Sequence, residues 1–413
     1  MKYFEFKKDE LFVENIKVSD IAKEVGTAFY CYSKKNIIEN YQNFYQAFSD
    51  IDHKICYAIK ANPNINLVKI FAKMGAGIDV VSQGEIFRCL KAGIDPKNIV
   101  FAGVGKTAEE IEYALNSGVE EFSVESEPEL DLLSQVASKI GKIAKFSLRV
   151  NPDVDANTHE KISTGRKGDK FGVDILKSHE IYEKAKNLDG IEIYGISTHI
   201  GSQITSLTPF KNAFQKIREL CISLRQSGFD IRNLDFGGGI GINYDEETPI
   251  RIEEYAKIIK DLTSDLNVSI TIAPGRALIG NSAILATKVI YVKKTDFKDF
   301  VIVDSAMNDL MRPGLYDSYH KLVQVTKKHG NAQRFDIVGP VCETTDILAK
   351  NRFLTEPASD DLLAFYSCGA YGASMSNEYN SRPLIPEILV DGDKFEIIRK
   401  RPSYEEMVRL ENL

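Results

Sequence analysis

Ile55-Cys56-Tyr57-Ala58-Ile59-Lys60-Ala61-Asn62-Pro63-Asn64 decides how the rest of the chain is read. Its first five residues are apolar or β-favouring and read as a short buried strand, stopped by the Asn/Pro-rich turn after Lys60. A lysine therefore stands at the strand's carboxyl end. An amine pressed against apolar surface loses solvation, favours its neutral form and becomes a nucleophile that forms Schiff bases with carbonyls. The plainer reading is a lysine whose stem lies along the core while its ammonium reaches water.

Outward from this strand the pattern becomes regular. Further strand candidates are Ile78 to Val81, Ile99 to Gly103, Glu121 to Val124, Lys145 to Val150, Tyr194 to Ile200, Leu234 to Gly237 and Ile270 to Ala273, eight in all with the first. Helix-period segments lie between them. Thr107-Ala108-Glu109-Glu110 reads as a capping box before Ile111, Ala114 and Leu115, with Gly118 as the stop. Ser126-Glu127-Pro128-Glu129 opens another helix, whose Leu130, Leu133, Val136 and Ala137 form one apolar face. Eight alternations of strand and helix predict an α/β (β/α)8 TIM-like barrel, with an open doubly wound sheet as the competing arrangement. The polar stretch Asp155 to Lys170, with Gly165 and Gly168, is long for a βα loop and reads as a functional or disordered segment.

After residue 281 strands dominate: Ala286 to Val292, Phe300 to Val303, Lys321 to Thr326, Phe335 to Val338, Leu362 to Tyr366, then Glu387 to Val390 and Lys394 to Ile398 across an Asp-Gly-Asp turn. The reading is a C-terminal β-rich domain, residues 281–413, completed by N-terminal strands in residues 1–32 (Phe4 to Phe6, Leu11 to Val13, Ala28 to Tyr32). The barrel then occupies residues 33–280. A chain of 413 residues with 43% hydrophobic content can fill two such cores.

Composition narrows the function. With 52 basic against 59 acidic residues the formal net charge is -7, which argues against nucleic acid or an anionic membrane as partner and favours a small-molecule ligand. The start Met1-Lys2-Tyr3-Phe4-Glu5-Phe6 lacks the apolar run of a signal peptide, and no apolar segment reaches membrane-spanning length, so a soluble, cytoplasmic protein is expected. Cys31, Cys56, Cys89, Cys221, Cys342 and Cys368 show no C-x-x-C spacing, and the six histidines no H-x-x-x-H pattern. Neither a disulfide framework nor a metal site is expected.

In a barrel, the carboxyl-terminal face collects the residues just past the end of each strand. Those positions are Lys60, Asp79 and Ser82, Gly103, Glu125, Asn151, His199, Gly237-Gly238-Gly239 and Pro274-Gly275-Arg276. The glycine run leaves strand seven with no side chains to hold a phosphate off its amides, although such a cluster is equally a tight turn. Arg276 suits bidentate binding of phosphate or carboxylate, or a salt bridge to a strand-end acid. His199, on strand six, is by itself an ordinary hydrogen-bonded core histidine. Together, a Schiff-base lysine, a phosphate cradle and a ring able to stack suggest pyridoxal phosphate. The second domain adds Met311-Arg312-Pro313-Gly314-Leu315-Tyr316, a guanidinium and a phenol on a turn; Val338-Gly339-Pro340-Val341-Cys342-Glu343-Thr344, a thiol beside a carboxylate; and Ser367-Cys368-Gly369-Ala370-Tyr371-Gly372, a tyrosine among small residues. Each has a dull reading: surface turn, buried cysteine, packed tyrosine.

Taken together these residues resemble the diaminopimelate decarboxylases, within the alanine-racemase-like (fold type III) pyridoxal-phosphate decarboxylases. The likeness runs nearly end to end, through Tyr57 to Asn62, Asp79 to Glu85, Arg149-Val150-Asn151-Pro152, Thr158 to Gly165 with Lys170-Phe171-Gly172, His199 to Gln203, Gly237 to Gly239, Arg312-Pro313 with Leu315-Tyr316, Gly339-Pro340 with Cys342-Glu343, and Gly369 to Gly372. The resemblance implies decarboxylation of meso-2,6-diaminopimelate to L-lysine and CO2, the last step of lysine biosynthesis, with pyridoxal 5'-phosphate as cofactor. It implies that Lys60 holds the cofactor, that His199 stacks on its ring, and that Gly237, Gly238, Gly239, Gly275 and Arg276 line its phosphate side. Tyr371 would also reach the phosphate, and Asp79, Ser202, Ala273 and Pro274 would complete the cofactor site. Arg276, Arg312 and Tyr316 would grip the substrate's distal carboxylate and Glu343 its distal amine. Cys342 would return a proton to Cα from the partner subunit, which implies a homodimer with its active site at the interface.

The glutamate beside Cys342 and the Arg-Pro-x-Leu-Tyr turn separate this pattern from ornithine-type relatives, whose substrates lack the distal carboxylate; decarboxylation of an ornithine or polyamine-type substrate is the alternative. One departure stands out. The family usually carries glutamate before Pro-Gly-Arg, paired with the protonated pyridine nitrogen, and here the residue is Ala273. Without that carboxylate the electron sink would be weaker or another acid would have to substitute, so a catalytically impaired homologue is a further alternative.

Overall fold

The computed structural model describes residues 1–155 and 170–411. By backbone proximity the chain divides into two units, one of Tyr41–Ile242 with Thr248–Ala277 and the other of Met1–Asn40, Asn243–Glu247 and Leu278–Leu413.

The first unit is built on eight parallel strands: β1 (His53–Ala58), β2 (Gly77–Val80), β3 (Ile99–Phe101), β4 (Glu121–Val124), β5 (Ala144–Asn151), β6 (Ile191–Ser197), β7 (Asn233–Asp235) and β8 (Ser269–Ile272). Each pairs with the next, and β8 returns to β1 with Ile270 opposite His53 and Ile272 opposite Ile55. That closure makes the expected (β/α)8 barrel and excludes the open doubly wound sheet. The strands alternate: one set of side chains is apolar and packs against the helices, and the other carries polar groups that pair across the barrel, Ser123 with Ser197 at 2.7 Å and Lys54 with Glu121 at 2.5 Å. Tyr57 of β1, for example, stacks on Phe71 of helix Ile65–Lys73 with ring centroids 4.1 Å apart. The helix signals hold where the sequence placed them. Thr107 and Glu110 form a reciprocal capping box on Ala108–Ser117, which Gly118 ends at φ 93°, and Ser126 caps Glu127–Lys139. The long loop expected between Asp155 and Lys170, and the motif Thr158 to Gly165, fall on residues 156–169, outside the described residues.

Several strands end earlier than the sequence reading has them, β3 at Phe101 and β7 at Asp235 among them, and two of these ends bear on the site. β1 stops at Ala58, and Ile59–Ala61 make a single 3-10 turn that carries Lys60. The turn forms because the Asn62 side chain accepts the Asn64 amide and the Asn64 side chain caps the next helix, drawing the chain inward before Pro63 can extend it. β6 stops at Ser197, so His199 lies beyond the strand, where Thr198 bonds to the Asp235 carbonyl.

In the second unit, Phe4–Lys7, Glu10–Val13 and Ile16–Lys17 form a small antiparallel sheet, and a separate nine-stranded sheet carries the rest. The N-terminal strand Phe29–Ser33 sits inside that larger sheet, antiparallel to Ala283–Lys293 and parallel to Glu387–Asp391. Phe4, Leu11, Val13, Phe29 and Cys31 share one core with Ile284, Ala286, Val325 and Ile388, so the two ends of the chain bury a common apolar surface. Strand Ile347–Thr355 has no counterpart in the sequence reading. Lys350-Asn351-Arg352 interrupts its alternation, and Asn351 takes φ 55° at an irregularity in its pairing with Ala332–Val338. Among the described residues no helix is long and apolar enough to cross a membrane.

Candidate active site

At the carboxyl ends of the barrel strands, sequence distance disappears. Gly275 presses on the turn that carries Lys60: a Cβ at 275 would lie 3.1 Å from the Ala58 Cβ and 3.3 Å from the Ala61 Cβ, and the Ala58 amide donates to the Pro274 carbonyl. The glycine run after β7 is equally close. A Cβ at Gly237 would meet the Thr198 carbonyl at 2.5 Å, at Gly238 the Ala273 carbonyl at 2.3 Å, and at Gly239 the Gly201 carbonyl at 2.4 Å. Gly237 and Gly239 also have φ of 63° and 103°, so both space and conformation demand glycine. The Ala273 amide donates to Gly237, and Ala273 itself ends as a half-buried methyl.

Three polar groups face this bare backbone. The Gly238 N–H donates to His199 Nδ1 at 3.2 Å, which leaves the ring proton on Nε2. Burial, helped by the positive charges of Lys60 and Arg149, holds His199 well below the ordinary histidine range, so the ring is neutral. Arg276, buried at the start of the short helix Arg276–Ile279, donates to the Ser202 hydroxyl at 3.0 Å. With the Gly238 amide taken up by His199, the Ser202 hydroxyl and the Arg276 guanidinium are the side-chain donors here that suit an oxyanion such as phosphate.

Lys60 differs from its expectation, since it is exposed in the single chain rather than pressed against apolar surface. The 3-10 turn lifts it out of the strand's buried register. Asp79, opposite Ala58 on β2, has its carboxyl raised by burial, against the lowering effect of the Lys60, Arg149 and Lys106 charges. Asp235 is pushed up to about 7, chiefly by burial, with its Oδ1 accepting the Gly237 amide at 2.8 Å. Around them Glu125 accepts Arg149 at 2.8 Å and the amides of Gly103 and Gly172, and Lys106 binds Glu129 at 2.6 Å. The barrel rim is thus braced by ion pairs while Lys60 stands open.

The second unit holds the remaining candidates. Arg312–Tyr316 is a short helix, not the expected turn: Arg312 and Tyr316 are its first and last residues, and their spacing of four sets both on one side. Proline at the second position needs no intrahelical partner for a missing N–H, so it starts the helix instead of breaking it. Arg312 is buried, with Nη1 2.8 Å from His320 Nε2. The Cys342–Glu343 loop follows strand Ala332–Val338, as the sequence placed it, and is shaped by buried Asp346, whose Oδ1 accepts the Met307 amide at 2.6 Å and Oδ2 the Val341 amide at 2.7 Å. Cys342 and Glu343 are both exposed; Glu343 accepts the Thr345 hydroxyl at 2.6 Å. The other five cysteines are buried. Tyr371 takes φ 57°, between Gly369 and Gly372, where a Cβ would meet the Ile279 carbonyl at 1.9 Å and the Tyr30 hydroxyl at 2.7 Å. Sequence reasoning passed over Asp346 and His320. The first stands just before strand Ile347–Thr355, which the sequence reading does not contain; the second comes one turn's length after Tyr316 and gave no signal of its own.

The family described as "Pyridoxal-dependent decarboxylase, pyridoxal binding domain" matches residues 34–280. The diaminopimelate decarboxylase of Aquifex aeolicus is 45% identical over 98% of this chain and 96% of its own length, and that of Zymomonas mobilis 46% over 98% and 97%. The crystal structure of Helicobacter pylori diaminopimelate decarboxylase complexed with L-lysine superposes with a TM-score of 0.92 at 41% identity, covering 95% of this chain and 98% of that one.

Proposed function

The chain belongs to the diaminopimelate decarboxylases, a branch of the pyridoxal-dependent decarboxylases, and on that premise we propose that it converts meso-2,6-diaminopimelate to L-lysine and CO2, the last step of lysine biosynthesis. The observation that carries this reading is the 45% identity along 98% of the chain.

The barrel's own residues fit pyridoxal 5'-phosphate. Lys60 would supply the primary amine that holds the aldehyde, with Asp79 close enough to feel its charge. His199, kept neutral and turned by the Gly238 amide, offers a flat ring for stacking. Ser202 and Arg276 would offer donors to the phosphate, while Gly237, Gly238, Gly239 and Gly275 would line it with bare backbone, the Gly237 and Gly238 amides being held by Asp235 and His199, and Pro274 fixes the joint between β8 and Arg276. By the family resemblance Tyr371 would add a hydroxyl to the phosphate. The cofactor, when bound, supplies an electron-withdrawing ring that takes up the electron pair left as CO2 departs. At the ring nitrogen the fit is incomplete, because Ala273 offers a methyl where the family carries a carboxylate.

Substrate recognition falls to Arg276, Arg312 and Tyr316 for the distal carboxylate and to Glu343 for the distal amine. The Cys342 thiol donates the proton that forms the new Cα–H bond and is left as thiolate until solvent reprotonates it. The thiol comes from the partner subunit of a homodimer, and the enzyme works in the cytoplasm. Purified protein reconstituted with cofactor is expected to release CO2 from meso-diaminopimelate, and borohydride treatment to leave a pyridoxyl group on the peptide containing Lys60. Absence of CO2 at saturating cofactor would reject the substrate; absence of the adduct would reject the cofactor site.

A further inference from the structure

The buried contact between Arg312 and His320 fixes the chemistry of both partners. His320 is fully buried, and its Nδ1 lies 2.9 Å from the Tyr366 carbonyl oxygen. A carbonyl only accepts, so Nδ1 carries the proton. Arg312 Nη1 lies 2.8 Å from Nε2, and a guanidinium only donates, so Nε2 holds the lone pair. His320 is therefore neutral and in a single tautomer. Cys368 Sγ packs against the same edge, 3.6 Å from Nδ1. Tyr244 completes the enclosure: its ring meets the imidazole edge to face at 5.2 Å and lies 4.7 Å from the Arg312 Cζ.

We infer that His320 is a positioning residue that orients the Arg312 guanidinium toward the carboxylate at the non-reacting end of the substrate. The inference rests on the reading of Arg312 given above. An arginine side chain free to rotate forfeits entropy when it grips a carboxylate, and a fork already held by one N–H and one aromatic face forfeits less. The chemistry of the holder matters as much as its place. A carboxylate at position 320 would also fix the fork, but it would draw off the positive charge that the substrate needs. A neutral imidazole orients without competing.

The test separates the two bonds of the imidazole. In His320→Asn the shorter amide stands in for Nδ1 and keeps the Tyr366 bond, yet stops short of Arg312; in His320→Gln the amide oxygen reaches the place of Nε2 and accepts from Arg312. With holoenzyme, we expect His320→Asn to raise KM for meso-diaminopimelate and weaken L-lysine binding about tenfold, the loss of one charge-assisted bond, with kcat little changed. Binding of 1,5-diaminopentane, which has no carboxylate, stays as in the parent, and His320→Gln restores L-lysine binding. Unchanged L-lysine binding in His320→Asn, or equal loss for L-lysine and the diamine, overturns the inference. Arg312→Gln identifies which claim has failed. If it spares L-lysine, the reading of Arg312 falls and this inference with it; if it selectively weakens L-lysine while His320→Asn does not, only the role of His320 falls. Thermal unfolding of each holoenzyme checks that the variants are folded.

Discussion

At position 273 one side chain departs from the pattern around it. The alanine amide is held by Gly237 and its carbonyl lies under Gly238, so the backbone is fixed and only the missing carboxylate differs. A carboxylate there holds a proton on the ring nitrogen and strengthens the ring as an electron acceptor. Ala273→Glu is therefore expected to raise kcat by about tenfold, equivalent to about 1.4 kcal/mol of barrier; steady-state CO2 release decides, and an unchanged kcat would assign that proton to another acid. Asp235 makes a second prediction, of stability. In the unfolded chain its carboxyl ionises near 4, roughly the free aspartate value, whereas in the fold it keeps its proton up to about 7. The folded state binds more protons across that window, so this group's contribution is whole below the unfolded value and is lost as pH rises through about 7. Asp235→Asn keeps an oxygen for the Gly237 amide and removes the titration. Its stability relative to the parent should climb by roughly 2 to 4 kcal/mol between pH 5 and pH 8, measured by denaturant unfolding at each pH; a gap that stays constant would reject the assignment.

Among the elements, β6 shows how a strand depends on its neighbour. Its pairing with β5 slips between Ile193 and Gly195, and a Cβ at Gly195 would stand 2.4 Å from the Asn233 carbonyl of β7. Gly195→Ala is expected to destabilise the barrel by about 1–3 kcal/mol, the usual range for overpacking, and to lower the thermal midpoint; a midpoint within a degree of the parent would show that the strands can separate without penalty. Nothing in the sequence marks this glycine, because its requirement is set by a strand some forty residues on in the chain. Thr107 is the opposite case: its partner Glu110 is three residues away, so the cap could be read directly and is present. The same division explains the site. Lys60, Gly237 to Gly239 and Arg276 lie at local strand and glycine signals, although Lys60 ends up exposed on a 3-10 turn past the strand, a displacement the Asn62 and Asn64 side chains impose. Arg312 was read as lying on a turn because Pro313-Gly314 punctuates the sequence, yet proline is tolerated in a first helical turn. His320 and Asp346 act through folding partners far along the chain, Tyr366 for the first and Met307 for the second, and no short window contains both halves of either contact.

For the whole molecule, the proposed reaction makes a demand that a single chain need not meet. Cys342 is the one exposed thiol of six, on a loop that Asp346 holds rigid and next to an exposed Glu343. Burial raises the pKa of the other five thiols, which suppresses their thiolates, and closes them off from a substrate. A reactive thiol kept open on a fixed loop is suited to work on a neighbouring copy, and a two-fold dimer that exchanges such loops builds two equivalent sites at once. In the proposed dimer each site would take Lys60 from one subunit and Cys342 from the other. The arrangement can be tested by mixing subunits, because two separately defective chains would repair one another. Lys60→Ala and Cys342→Ala are each expected to be nearly inactive alone. In a mixed dimer one site receives both changes and the other receives neither, so random exchange, in which about half the dimers are mixed, should restore roughly a quarter of the parent's activity. Isolated mixed dimers, purified through two different tags, should reach about half. If Cys342 instead serves the Lys60 of its own chain, every site in every mixture carries one defect and CO2 release stays at the level of the separate variants.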